Sequence, residues 1–201
     1  MLSNFEGGIM CEKLKELSGY GPEEILNKYW NKERNVYPID ISKILYNMKI
    51  RVSAYDFSKF DNGNLEDRIL GAMVAKGKDL ALLYRKGETK NRSRFTLAHE
   101  LAHCCLAHYQ FNNCDMPYIE YRHDGVLTDQ YEEEANIFAG ELLIPDKELR
   151  MVLESEYPDT FPEIVKLSKL FAVSWNVMKG RLRYLKIPYI DEHGHKILIL
   201  E

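Results

Sequence analysis

The pentad His99-Glu100-Leu-Ala-His103 constrains this chain more than any other stretch. On an α-helix, residues i and i+4 stand one above the other on a single face. Two imidazoles so placed can offer nitrogens to one tetrahedral Zn²⁺, with Glu100 beside them as a general base. A catalytic zinc takes three protein ligands and keeps one position open. The pentad therefore requires a helix at this point and a third ligand from elsewhere in the chain.

Where that ligand comes from depends on the rest of the sequence. At 201 residues the chain is long enough for a substantial core. Its 45% hydrophobic and 29% charged residues are ordinary for a soluble globular protein. A formal net charge of −4 argues against nucleic-acid binding by the whole surface, while leaving room for a local basic patch. The opening Met1-Leu-Ser-Asn-Phe-Glu-Gly-Gly lacks the basic and apolar regions of a secretory signal. No apolar run reaches the roughly 18 residues of a membrane span. A cytoplasmic location is expected. In that compartment the four cysteines (Cys11, Cys104, Cys105 and Cys114) are read as reduced thiols. Cys104 and Cys105 follow the pentad directly, but a helix turns them away from the His99/His103 face.

Along the chain, residues 9–18 and 22–33 read as amphipathic helices, with Pro22 well placed at a first helical position. Asp40 is the expected N-cap of a short helix over about 40–48. Lys49 to Asp56 alternates as a half-buried strand, and Asp61-Asn-Gly-Asn64 as a loop. The apolar runs Ile69–Ala75 and Leu80–Tyr84 flank Lys76-Gly-Lys-Asp79 and predict an antiparallel hairpin. The pentad helix is expected over about 92–108, capped by Asn91 or Ser93. An exposed edge strand beside such a helix can take up an extended peptide by strand addition. Residues 109–127 read as a Tyr- and Asp-rich loop, 130–143 as a strong helix stopped by Pro145, and 146–157 as another. Helices at 161–170 and 175–185, the second capped by Ser174, precede a terminal hairpin over 188–200. Its tip, Asp191-Glu-His-Gly-His195, is read as exposed turn residues. Three regions follow: N-terminal helices at 1–36, the metal-site domain at 37–157, and a C-terminal segment at 158–201.

Two sources of a third ligand present themselves. His108 lies five residues past His103, about 140° around the helix, and is read as a helix-end histidine. The arrangement in which a third histidine follows Gly fails, because Leu106 and Tyr109 stand at the required positions. The second source is Tyr131-Glu-Glu-Glu-Ala-Asn136. Glu132 shares a helical stripe with Asn136, and an Asn there can accept a hydrogen bond from a ligating imidazole and fix its tautomer. Small Ala135 and Ala139 let two helices approach. Glu132 is therefore favoured, with Glu133 and Glu134 on a solvated face.

These residues resemble the ImmA/IrrE-type metallopeptidases of bacterial mobile elements and phages. The likeness rests on Arg94-Phe-Thr-Leu-Ala-His-Glu-Leu-Ala-His103, on Glu132-x-x-Ala-Asn-x-Phe-Ala139, and on Leu142-Leu-Ile-Pro145. It continues in Leu170-Phe-Ala-Val-Ser174 with Met178, Arg181 and Leu182, and spans roughly 38–187. Ala102 replaces a frequent Gly, and Ala107 a frequent His. The resemblance implies one zinc held by His99, His103 and Glu132, with Glu100 as base. It also implies an α+β, gluzincin-like core: a small antiparallel sheet on the pentad helix, a second Glu-bearing helix, and a helix-turn-helix-like C-terminal segment. The implied activity is cleavage of a helix-turn-helix repressor, releasing a mobile element or stress operon, with an activating partner or signal.

Zinc-dependent peptide hydrolysis is thus the leading expectation, with Tyr109, Tyr118, Tyr121, His123 and Tyr131 as candidate donors to a developing oxyanion. Two alternatives stand beside it. Residues 161–190 carry six Lys or Arg against one acid, a net +5, so 161–185 is a candidate DNA-binding helix-turn-helix. Against that, Trp175 sits near the start of the recognition helix. The other alternative is a metal-bound sensor or antitoxin-like protein that binds without cutting.

Overall fold

The computed structural model describes residues 11–30, 37–59, 69–108, 118–123 and 130–199. Three short helices come first: α1 (Glu12–Leu17), α2 (Pro22–Tyr29) and α3 (Ile41–Asn47). Pro22 opens α2, and the Gly21 N–H donates to Glu24 Oε2 at 2.9 Å. The Asp40 carboxylate caps α3 by accepting from the Lys43 N–H. Each helix sends its apolar residues inward, among them Leu14, Leu17, Ile25, Ile41 and Ile44.

A four-stranded sheet follows, built from β1 (Arg51–Tyr55), β2 (Ile69–Lys76), β3 (Asp79–Arg85) and β4 (Tyr118–His123). Its order is β1-β3-β2-β4. The hairpin expected at 69–84 is present, with Lys76 opposite Asp79 and Gly77 at a positive φ of 58°. The expectation of an antiparallel sheet needs correction: β1 pairs parallel with β3, Arg51 opposite Ala81, so the sheet is mixed. Alternation identifies a strand but not its neighbour, and β1 docks beyond β3 rather than beside β2. As an edge strand it is also more exposed than expected, with only Val52 partly buried. A second correction concerns 109–127, expected as loop throughout: 118–123 is a strand paired antiparallel to β2. Tyr118, Ile119 and Tyr121 favour extended backbone, while the interspersed charges suit an edge and mask the pattern. The Asp61–Asn64 loop, Tyr109, Cys114 and the Thr128/Asp129 cap lie outside the described residues.

Helix α4 (Lys90–Cys105) is the centre of the molecule. Every residue from Thr96 to Cys105 is buried, because β2 and β3 cover one side while α1, α3 and the next long helix cover the others. The helix starts a half-turn earlier than expected, since Thr89, not Asn91 or Ser93, accepts from the Arg92 N–H. It ends at Cys105, and Ala107 adopts a left-handed φ of 57°. Cys104 and Cys105 are buried reduced thiols, and burial pushes the Cys105 thiol up to about 12.

The remaining helices are α5 (Gln130–Leu143), α6 (Asp146–Glu156), α7 (Ile164–Phe171) and α8 (Trp175–Tyr184). Ser174 caps α8 by accepting from the Val177 N–H. A two-stranded hairpin, β5 (Tyr189–Ile190) with β6 (Lys196–Ile197), closes the chain. Two buried arginines tie this C-terminal part to the rest. Arg94, in the first turns of α4, donates to the carbonyls of Phe171 and Ala172 at the end of α7, and to that of Ile39. Arg181 of α8 donates to the Ile144 carbonyl past the end of α5. Helix C-termini leave carbonyls without helical partners, and these guanidiniums supply donors in the interior. One apolar cluster runs from Cys11 to Tyr189. Among the described residues no helix is long and apolar enough to cross a membrane.

Candidate metal centre

The helical spacing that brings His99 and His103 onto one face also points both side chains at α5. Side-chain exposure is 0% for His99 and 6% for His103, so neither ring is solvated and each depends on protein partners. His99 Nδ1–H donates to Asn136 Oδ1 at 3.0 Å. That bond places the proton on Nδ1 and leaves the Nε2 lone pair facing inward.

Glu132, in the first turn of α5, closes the group. Its Oε2 lies 3.2 Å from His99 Nε2 and its Oε1 lies 3.2 Å from His103 Nε2. The two Nε2 atoms are 2.9 Å apart. Ligands about 2.0–2.1 Å from a tetrahedral ion stand roughly 3.3 Å from one another. Three donors at nearly this spacing, two imidazole nitrogens and a carboxylate, match in type and separation what a zinc-sized ion accepts. Among the described residues this is the one group of three or more such donors gathered within 4.8 Å. Burial pushes the Glu132 carboxyl up, but the imidazoles of His103 and His99, when protonated on Nε2 in the metal-free site, outweigh it, and the net shift is well downward. The group stays ionised, as a ligand must.

Glu100 is buried one residue after His99. Its neighbour is a residue that the sequence reading passed over. A Cβ built on Gly71 of β2 would come within 2.5 Å of both Glu100 Oε1 and Thr96 Cγ2. Only glycine lets the strand lie this close to the carboxylate. A lone Gly inside an apolar strand pattern was the available signal. Gly71 also pairs with Arg122 of β4, which places an edge strand next to the Glu100 side of the sheet.

The helix expected to reach His108 stops at Cys105, so His108 stands beyond it, and its side chain, only 4% exposed, is in contact with the site. It pairs with Glu134 Oε2 at 3.0 Å, and its ring lies 5.3 Å from that of His103, edge to face. Glu134, read as solvated, thus faces His108 and also accepts from Gln130 at 2.7 Å. Glu133 is exposed. Of the candidate oxyanion donors, Tyr131 is exposed and lies tilted against His108, with ring centroids 4.6 Å apart. Tyr118, Tyr121 and His123 lie on β4, of which the backbone is described.

The family described as the IrrE N-terminal-like domain, a peptidase family, matches residues 48–183. The chain belongs to it. The IrrE N-terminal-like match runs from just before β1 almost to the end of α8 and contains His99, Glu100, His103, Glu132 and Asn136. Neither the curated proteins nor the solved structures gave a match. The cations of the C-terminal helix pair are less available than their number suggests. Arg181 is buried, Lys179 is bound to Glu192 at 2.6 Å, and Lys166 to Glu163 at 2.7 Å.

Proposed function

We propose that this chain is a zinc-dependent endopeptidase of gluzincin-like arrangement, with His99, His103 and Glu132 holding one Zn²⁺ and Glu100 as the catalytic base. The observation that supports it most is the meeting of three ligand-type donors from two separate helices, with a buried carboxylate one residue from the first of them. When bound, Zn²⁺ supplies a Lewis acid for the scissile carbonyl and makes a water acidic enough to lose a proton near neutral pH. The Glu100 carboxylate accepts that proton and returns it to the departing amide nitrogen, so hydrolysis consumes one water and leaves the base unchanged. Asn136 holds the His99 tautomer. Gly71 holds Glu100 where the strand can pass it. An extended substrate segment can lie along β4 and add to the sheet.

As substrate we propose a helix-turn-helix repressor, whose cleavage would derepress a mobile element or stress operon in the cytoplasm. Family membership and the resemblance of the C-terminal segment support this reading. The test is direct. Purified protein should carry about one zinc per chain, and incubation with the repressor encoded beside it should yield fragments that a chelator prevents. Glu100→Gln should retain the metal and lose cleavage. Cleavage at an undiminished rate by that variant would sink the mechanism. Tight repressor binding with no fragments would instead favour a sensor or antitoxin-like role.

A further inference from the structure

A cavity of about 700 Å³ opens between α5 and α8, and it shares a wall with the candidate metal centre. Asn136, which accepts the hydrogen bond from His99, lines it. So does Phe95, one helical turn before His99, with its ring 6.2 Å from the imidazole. We infer that this groove is a recognition subsite for a bulky apolar residue of a peptide substrate.

The inference rests on the peptidase reading and adds what the substrate must carry. Phe95, Ile137 and Val177 form an apolar surface, and each is half-buried. A cavity in the range of about 300–1,000 Å³ suits a ligand of several groups, so a large side chain fits together with part of the chain that bears it. At the exposed rim Glu133 on α5 stands against Arg183 on α8, while the third charged lining residue, Arg181, is buried with its guanidinium donating to the Ile144 carbonyl. Such a rim favours a neutral stretch of peptide over a strongly charged one.

Two glycines strengthen the assignment. Gly140 lies inside α5 and Gly180 inside α8, and both line this cavity. Glycine in a helix interior is destabilising relative to alanine. Neither position has the excuse that Gly71 has. A Cβ at either would meet nothing within 4 Å, and neither backbone is left-handed. What these two residues share is the groove, whose width they preserve at a cost in helix stability.

Binding should be measured apart from catalysis. Zinc-loaded Glu100→Gln protein is titrated, by fluorescence anisotropy, with fluorescein-labelled nonapeptides of alanine, serine and glycine carrying one Leu, Phe, Asp or Lys. The Leu and Phe peptides should bind roughly ten- to a hundredfold more tightly than the Asp peptide, as burial of such a side chain predicts. Gly140→Leu or Gly180→Leu, added in the same background, should cut that preference to about threefold or less with zinc content and circular dichroism unchanged. The two positions lie on different helices, so one variant can carry the test if the other misfolds. Gly140→Ala and Gly180→Ala, both favoured in a helix, should show a smaller loss in the same direction. No apolar preference, or one that survives every filled variant, overturns the inference. Hydrolysis of the same peptides by the unsubstituted protein separates the two levels. Groove-dependent binding with no cleavage of either these peptides or the repressor supports the subsite and removes the peptidase. Cleavage without groove-dependent preference does the reverse.

Discussion

Two pairs of histidines with carboxylates nearby, one within α4 and one at the tip of the β5–β6 hairpin, differ in everything except composition. His99 and His103 are one helical turn apart, almost wholly buried, and meet Glu132 from a second helix at 3.2 Å. His193 and His195 flank Gly194 at a hairpin tip, with side chains 71% and 74% exposed and rings 6.1 Å apart. The carboxylates beside them are divided between tasks: Glu192, 4.0 Å from His193, is bound to Lys179, and Asp191 Oδ2 lies 3.4 Å from His195 Nδ1. Asp191 Oδ1 accepts the backbone N–H groups of His193 and His195, at 2.9 and 2.7 Å, and so builds the turn. A metal site needs donors that converge, carry fixed tautomers and lack competing work. Only the helical pair meets those conditions.

The largest test of that contrast removes the donor that arrives from outside α4. Glu132→Ala leaves both histidines in place but takes away the third ligand. Zinc content, measured by inductively coupled plasma mass spectrometry after desalting, should fall from about one per chain to near zero. The loss of affinity should exceed the roughly 10- to 100-fold that follows loss of a ligand's hydrogen-bond partner. Retention of one zinc by this variant would mean that the metal sits elsewhere.

Next in size is Gly71→Ala, which leaves every donor intact. The new Cβ would fall 2.5 Å from Glu100 Oε1 and Thr96 Cγ2, and the carboxylate, at the end of a flexible side chain, is the group able to move. Overpacking of this kind costs about 1–3 kcal/mol, so a melting curve should shift down by several degrees. Activity should suffer more, on the order of a hundredfold, because displacement of a reacting group by about 1 Å has that effect. Zinc content should not change. A variant with lower stability but full activity would show that Glu100 does not need its place beside the strand.

A gentler change, Asn136→Ala, removes only the acceptor of the His99 Nδ1 proton. Zinc affinity, measured by competition with a chromophoric chelator, should weaken about 10- to 100-fold while the fold and stoichiometry at saturating metal are kept. An unchanged affinity would indicate that packing alone orients the ring.

How far these features could be read in advance follows from their range along the chain. The ligand-type side chains were legible because helix geometry is local: four residues place His103 under His99, and four place Asn136 under Glu132. The helices themselves were legible through caps such as Asp40 and Ser174, and through breakers such as Pro145. What stayed hidden depends on partners far away in sequence. Gly71 has meaning only once β2 is laid against α4, and β4 only once β2 offers it an edge. The parallel pairing of β1 likewise depends on where β3 lies. Arg94 looked like part of a motif, but its guanidinium reaches the carbonyls of Ile39, Phe171 and Ala172, positions known only from the assembled fold. His108 and Glu134 were read singly as a helix end and a solvated face. Their pairing required the left-handed turn at Ala107.

The smallest expected effect is the other half of the comparison. His193→Ala and His195→Ala, made together, remove two imidazoles but none of the backbone bonds that Asp191 accepts. Changes at such exposed positions usually stay within about 0.5 kcal/mol, so the melting temperature should move by no more than about 2 °C in a chain of this size. Zinc stoichiometry and affinity should match the unsubstituted protein, because the donors at the tip neither converge nor are held in one orientation. A fall in zinc content on losing the exposed pair would break the contrast outright. It would show that burial and convergence, which separate the two regions so clearly, do not decide where this protein keeps its metal.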